Sequence, residues 1–176
     1  MKKFFIIIFT AFILIYGCNS SKRKNVPYSK DGISFSLPKY WKIKKDRPIE
    51  GLAHSKFISI SNEEPFSKDG FLIITAVDSV DLTKTLDNLI AQSRTSYARR
   101  KIEFSLVDKP KQIAIGDKKA LRADFETRIL TTHNKGSFTV LQLKHKTFTF
   151  TASTNVKDKL ENFAVVDSVI KSLQMK

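Results

Sequence analysis

Asp31-Gly32-Ile33-Ser34-Phe35-Ser36-Leu37-Pro38-Lys39-Tyr40-Trp41-Lys42-Ile43-Lys44 is the stretch whose reading decides the fold of this chain. Ile33, Phe35 and Leu37 alternate with Ser34 and Ser36, the period-two pattern of a strand with one buried face. Pro38 has no N–H to donate, and its fixed φ suits a tight turn, so it ends the ladder. Beyond it Trp41 and Ile43 face one way, Lys42 and Lys44 the other. The stretch predicts a hairpin built around the only tryptophan, Trp41, with lysines on its outer side.

Working outward to the N-terminus, Lys2 and Lys3 precede an apolar run from Phe4 to Tyr16 relieved only by Thr10. Thirteen residues of helix reach about 20 Å, short of the ~30 Å hydrocarbon core. A positive start and a short apolar run form a signal-peptide pattern, predicted over residues 1–17. The run ends in Leu14-Ile15-Tyr16-Gly17-Cys18, which looks like a bacterial lipobox and implies lipidation of Cys18 on sulfur. Retention as an uncleaved anchor helix is the alternative, and either outcome ties the domain to a membrane. Cys18 is the only cysteine, so no internal disulfide can form. It sits between an apolar peptide and a polar linker, without the folded electropositive pocket that a nucleophilic thiol needs.

Residues 18–27 then read as a flexible basic tether. Fully extended, its nine residues after the cysteine span at most about 30 Å, so the domain stays near the bilayer. Lys22, Arg23 and Lys24 would lie at the lipid surface, where each cation adds about 1 kcal/mol against anionic headgroups. Asn19 follows the cysteine where an aspartate would suggest inner-membrane retention in enterobacteria-like sorting. An outer-membrane anchor facing the periplasm is therefore favoured, if the cell has that membrane.

The remainder, residues 28–176, has the size of a single domain. Lys45–Gly51 reads as a loop, Phe57, Ile58 and Ile60 as part of a strand, and Asn62–Pro65 as its end. The continuous apolar run Phe71–Val77 predicts a central strand covered on both faces. Asp81 can cap a helix whose apolar stripe is Leu82, Leu86, Leu89, Ile90, Ser93 and Tyr97. Arg99, Arg100 and Lys101 follow, where cations suit the helix C-terminus. Ile102, Phe104 and Leu106 alternate as a strand, and Ile113 and Ile115 lead into a Gly116-Asp117 turn. Leu121 to Ile129 alternate with charges of both signs, as on a solvated sheet face. Asn134-Lys135-Gly136 reads as a turn into Phe138–Leu143. Lys144-His145-Lys146 reads as a tight hairpin into Thr147–Ala152, and Val156, Leu160, Phe163, Val166, Ile170 and Leu173 as a final helix.

Gly32 to Trp41 at the start resembles the opening of PsbP-like domains, the group that includes the DcrB-like and LpqN-like bacterial lipoproteins. Ile115-Gly116 followed by Ala120, then Phe148 to Ala152, then a helix and Ser172-Leu173, extend the resemblance from Tyr28 to Leu173. It implies an α+β fold, an antiparallel β-sheet flanked by helices in a PsbP-like sandwich. Members mostly act as accessory or binding proteins and share no general active-site motif, so no functional residue is carried over.

Catalytic patterns are missing from the sequence itself. His54, His133 and His145 are its only histidines, and none stands at ligand spacing with another histidine, cysteine or acid. No nucleophile elbow, HExxH or phosphate-cradling glycine loop occurs, so neither an enzyme nor a cofactor is expected. What remains is charge. The chain carries 31 basic and 17 acidic residues; without Lys2 and Lys3 the mature chain keeps 29 basic ones, a net +12. An exported protein does not meet nucleic acid, so the expected partners are membrane lipid through acylated Cys18 and an anionic envelope component or acidic protein. Lys42, Lys44 and Lys45 are the candidate partner-binding residues. A non-catalytic accessory role is the first expectation. The alternative is a carrier of an apolar or acyl ligand in an internal pocket lined from the ten phenylalanines after residue 17.

Overall fold

The computed structural model describes residues 25–65, 70–157 and 161–176. In chain order its elements are β1 (Val26–Lys30), β2 (Ile33–Leu37), β3 (Trp41–Arg47), β4 (Lys56–Asn62), β5 (Phe71–Asp78), α1 (Leu82–Arg99), β6 (Glu103–Leu106), β7 (Lys111–Ile115), β8 (Lys118–Ile129), β9 (Thr132–Leu143), β10 (Lys146–Asn155), α2 (Glu161–Ser172) and β11 (Gln174–Met175). β1, β2 and β11 form a small sheet, while the large sheet runs β3-β4-β5-β10-β9-β8-β6, with β7 also on β8. All pairings are antiparallel. This is an α+β domain, as the sequence predicts.

The expected Trp41 hairpin is not what forms. β2 pairs with β1 and β11, whereas β3 pairs with β4 in the other sheet. Pro38 explains the difference. Its missing N–H breaks the ladder, and a turn closed by Trp41 N donating to Pro38 O (2.9 Å) carries the chain from one sheet to the other. β2 makes its hairpin backwards instead, through Asp31 (φ 51°) and Gly32 (φ 76°), the left-handed pair that a two-residue turn favours. β1 thereby takes in Val26 and Pro27, the last two residues read as tether.

Side-chain alternation gives the large sheet two dissimilar faces. On one, Ile58, Ile60, Leu72, Ile74, Phe148, Phe150 and Leu141 pack with Trp41, with Phe35 and Leu37 of the small sheet, and with Val166, Val169 and Ile170 of α2. Ser36 N donates to Ser172 Oγ (3.0 Å), and Arg122 pairs with Asp167, tying α2 to both sheets. On the other face α1 seats Leu86 and Ile90 against Ala123, Phe125, Phe138 and Val140. Its N-cap is the expected one, Lys84 N donating to Asp81 Oδ1 at 2.6 Å.

Four further expectations change. β5 is interior to the sheet, but only Leu72, Ile74 and Ala76 are fully buried; Ile73, Thr75 and Val77 are half-buried, because α1 packs over β6, β8 and β9. Lys45 belongs to β3, which continues past a bulge to Arg47 before the loop begins. Val156 lies in a turn after β10 and is exposed instead of joining the final helix, which is described over Glu161–Ser172; Leu160 and the Phe163 side chain lie outside the described residues.

The fourth change concerns Gly136, which lies inside β9 while the actual turn is Leu130-Thr131. A Cβ on Gly136 would fall 2.3 Å from Phe125 Cζ and 2.4 Å from Ala152 O. The glycine is there to let Phe125 lie flat on the strand. Gly136→Ala is expected to cost about 1–3 kcal/mol through overpacking, read from urea denaturation midpoints. An unchanged midpoint would contradict this packing.

Candidate binding cleft at one end of the sheet

The least ordinary residues of the core face are two lysines. Strand alternation places Lys56 in phase with Ile58 and Ile60, and Lys146 in phase with Phe148 and Phe150, so both point inward. They are only 7 % and 8 % exposed. Ala76 stands opposite both Lys56 and Phe148, and its small side chain leaves room between the strands. The result is a half-open cleft of about 530 Å³ between the sheets. Asp31, His54, Asp78, His145 and Met175 complete its walls.

Each ammonium is held by several acceptors. Lys56 bonds the Asp31 carboxylate and lies 2.5 Å from Asp46 Oδ1. Asp46 also receives Tyr28 Oη at 3.1 Å and pairs with Lys30 at 3.1 Å. Lys146 donates to His54 O and to Asp78 Oδ1, both at 2.6 Å. His54 adopts φ 52°, and its exposed carbonyl turn brings that acceptor into place.

Burial alone would drive the Lys56 ammonium down, but the hydrogen bonds it donates to Asp31 and Asp46 and the nearby negative charge hold it well above the usual lysine range. Burial likewise pushes the Asp46 carboxyl up, and is outweighed by hydrogen bonds from Lys56, Lys30 and Tyr28, which leave it below its ordinary value. Tyr28 is pushed up to about 12, chiefly by burial. Asp78 is lowered, first by its hydrogen bond from Lys146. Sequence reading missed this cleft, although a signal was there: a lysine standing two residues ahead of a buried isoleucine or phenylalanine is on the buried phase of its strand.

Of the candidates named from sequence, Cys18, Lys22, Arg23 and Lys24 lie outside the described residues. Lys42 and Lys44 are brought together on one acid. Both pair with Glu63, whose carboxyl falls to about 2, mainly through the hydrogen bonds from Lys42 and Lys44. Lys45 is separate, exposed beyond the bulge. All three sit on β3, the edge of the large sheet, where lysines also discourage strand addition by another chain. Beside Trp41 lies an apolar groove of about 230 Å³ formed by Pro38, Tyr40, Ala164 and Val165. Among the described residues no group of three His, Cys, Asp or Glu could hold a metal ion, and no helix is long and apolar enough to cross a membrane.

With this geometry in view, the architecture is that of the PsbP-like fold. The chain is similar to cyanobacterial PsbP (CyanoP) of Synechocystis sp. PCC 6803, at 14% identity and TM-score 0.61 over 90% of this chain and 96% of that one. It is similar to LpqN of Mycobacterium tuberculosis, a protein involved in cell envelope biogenesis, at 10% identity and TM-score 0.52 over 87% and 91%. A Bacteroides thetaiotaomicron protein matches at 12% identity and TM-score 0.54; there 87% of this chain covers only 48% of the other. No protein-family model and no curated protein matches the sequence.

The lysine–carboxylate pairs set the pH response. Asp46 has a lowered folded value, so its contribution is present above about pH 4 and is lost as acid protonates the folded carboxyl. Tyr28 and Lys56 have raised folded values, so theirs are present below about pH 10 and fade at higher pH. Asp46→Asn, which strips Lys56 of a buried partner, is expected to cost about 3–5 kcal/mol near pH 7. In urea titrations the gap from wild type should narrow between pH 6 and pH 2. A gap that stays constant would contradict the assignment.

Proposed function

We propose that this chain is a lipid-anchored accessory protein of the bacterial cell envelope that works by binding, not by catalysis. The observation that carries the reading is the engagement of the two buried lysines of the cleft and of the acid and tyrosine behind them. Lys56, Lys146, Asp46 and Tyr28 are each tied to neighbours, and none is poised as a free base or nucleophile. Asp31 and Asp78, in contrast, have side chains 60% and 66% exposed and can turn toward a bound group.

The Leu14–Cys18 motif and the lone cysteine support the anchor, with acylated Cys18 as the membrane contact and Lys22, Arg23 and Lys24 against anionic headgroups. LpqN, which shares the fold, is involved in cell envelope biogenesis, which also supports the envelope reading. Lys42, Lys44 and Lys45 offer an acidic envelope component or protein a basic edge that Glu63 only partly offsets. The carrier alternative has less behind it: the apolar groove beside Trp41, about 230 Å³, falls below the ~300 Å³ at which ligand pockets begin, and the larger cleft is half-open and lined by charged groups that do not suit an apolar chain.

Growth with a clickable fatty acid tests the anchor: label is expected on the wild-type chain and none on Cys18→Ser, which should also leave the membrane fraction or remain unprocessed. An unlabelled wild type would contradict it. Crosslinking in intact cells tests the binding. A wild-type adduct that disappears in Lys42→Glu/Lys44→Glu/Lys45→Glu is expected, and an adduct indifferent to the reversal would place the contact elsewhere.

A further inference from the structure

The two ends of the large sheet differ, and the tether leaves from one of them. Asn25 lies in the groove with Pro38, Tyr40, Asn62 and Glu64, at the end where β4 finishes. Register places Ser61 beside Phe71, and Phe71 beside Ser153, so β10 also finishes at this end. Asn155 pairs with Asn134, and from there β8 and β9 run on to Ile129 and Thr132 with Leu130-Thr131 as their turn. The Lys56–Lys146 cleft lies at the opposite end.

The tip of this projecting hairpin is unusual. Leu130 is fully exposed (101%) and holds φ 50°, in the left-handed region that favours asparagine or glycine. Leucine is thus a poor choice twice over in water, for its backbone and for its side chain. Ile129 beside it is 39% exposed, and Val156, whose N–H donates to His133 O at 3.0 Å, is 37% exposed. Residues that break local rules without a packing gain mark places where function is served.

Charge gathers at the same end. Glu103 pairs with Arg128, so β6 begins beside the tip, and the exposed Arg99, Arg100 and Lys101 at the end of α1 adjoin it. Lys157 is exposed next to Val156. Glu126 engages Arg128, His133 and Lys135, and Glu103, Glu63 and Glu64 offset part of the remainder. The seven residue steps from Cys18 to Asn25 allow at most about 25 Å.

We propose that this end is a bilayer-docking face: Leu130, with Ile129 and Val156, enters the lipid interface, and Arg99, Arg100 and Lys101 lie against anionic headgroups. The proposal rests on the lipid-anchor reading above and adds an orientation to it. An apolar tip ringed by cations fits an acidic membrane surface better than an acidic protein, because the tether holds it within reach of lipid. Docked so, the lysine cleft faces away from the membrane.

The test uses the full chain purified from membranes with its anchor, reconstituted in vesicles of phosphatidylcholine and phosphatidylglycerol with or without brominated acyl chains. Tryptophan is introduced as Leu130→Trp at the tip, or as Leu52→Trp, an exposed site in the loop before β4 at the cleft end; the wild type supplies the Trp41 background. Brominated lipid is expected to quench the added emission of Leu130→Trp at least twofold and to leave Leu52→Trp unchanged. Arg100→Glu/Lys101→Glu should lower the Leu130→Trp quench in anionic vesicles by at least half. Equal quenching at the two sites, or none at either, would overturn the docking face. Intact mass reports the anchor separately. A chain with acylated Cys18 and an unquenched tip keeps the anchor and loses the proposal, whereas a chain without acyl loses the anchor and leaves the quench to decide the docking.

Discussion

Trp41 N donates to Pro38 O at 2.9 Å, and across that single turn the chain passes from the small sheet to the large one. The rest of the domain depends on this crossing. It sets β2 against α2 through Ser36 and Ser172, and it plants Trp41 at the seam, 5% exposed and opposite Asn62. Glu63 N donates to Tyr40 O at 2.8 Å, pinning the far side of the turn to the end of β4. Without the crossing, Phe35 and Leu37 would lose the layer that buries them, and burial of such side chains, about 1.5–3 kcal/mol each, is the main stabilising term.

How much of this was legible in sequence depended on range. Alternation located β2, β6 and β8 because a half-buried strand writes its own pattern. Asp81 with the Leu86 and Ile90 stripe located α1 for the same local reason. Sheet membership was not legible. Strand–Pro–strand reads as a hairpin until β2 is seen between β1 and β11; the Asp31-Gly32 turn to β1 was a local signal passed over, whereas β11 reaches β2 from the far end of the chain and leaves no local mark. Gly136 misled in a similar way: Asn-Lys-Gly has turn composition, but the need for a glycine came from Phe125 on a neighbouring strand. The cleft was half legible. Lys56 and Lys146 stand on the buried phase of their strands, yet the acids that make their burial tolerable come from Asp31, Asp46 and Asp78 on three other segments.

The sandwich also gives the domain a direction. Its strands run between an end that carries Asn25 and the apolar hairpin tip at Leu130 and an end that holds paired buried lysines in a half-open cleft. The two ends have opposite physical tendencies. One exposes apolar side chains and strained backbone to water; the other keeps ammonium groups buried by surrounding them with carboxylates, an arrangement stable only while every partner stays. The antiparallel strands hold these two ends apart.

Two sheets joined at Trp41 behave as one cooperative body. Trp41 emission and far-UV ellipticity, followed through the same urea titration, test it most directly. One body requires blue-shifted native emission and a single transition that coincides by both probes. Emission typical of solvated indole, or a fluorescence change complete before the ellipticity falls, would contradict it.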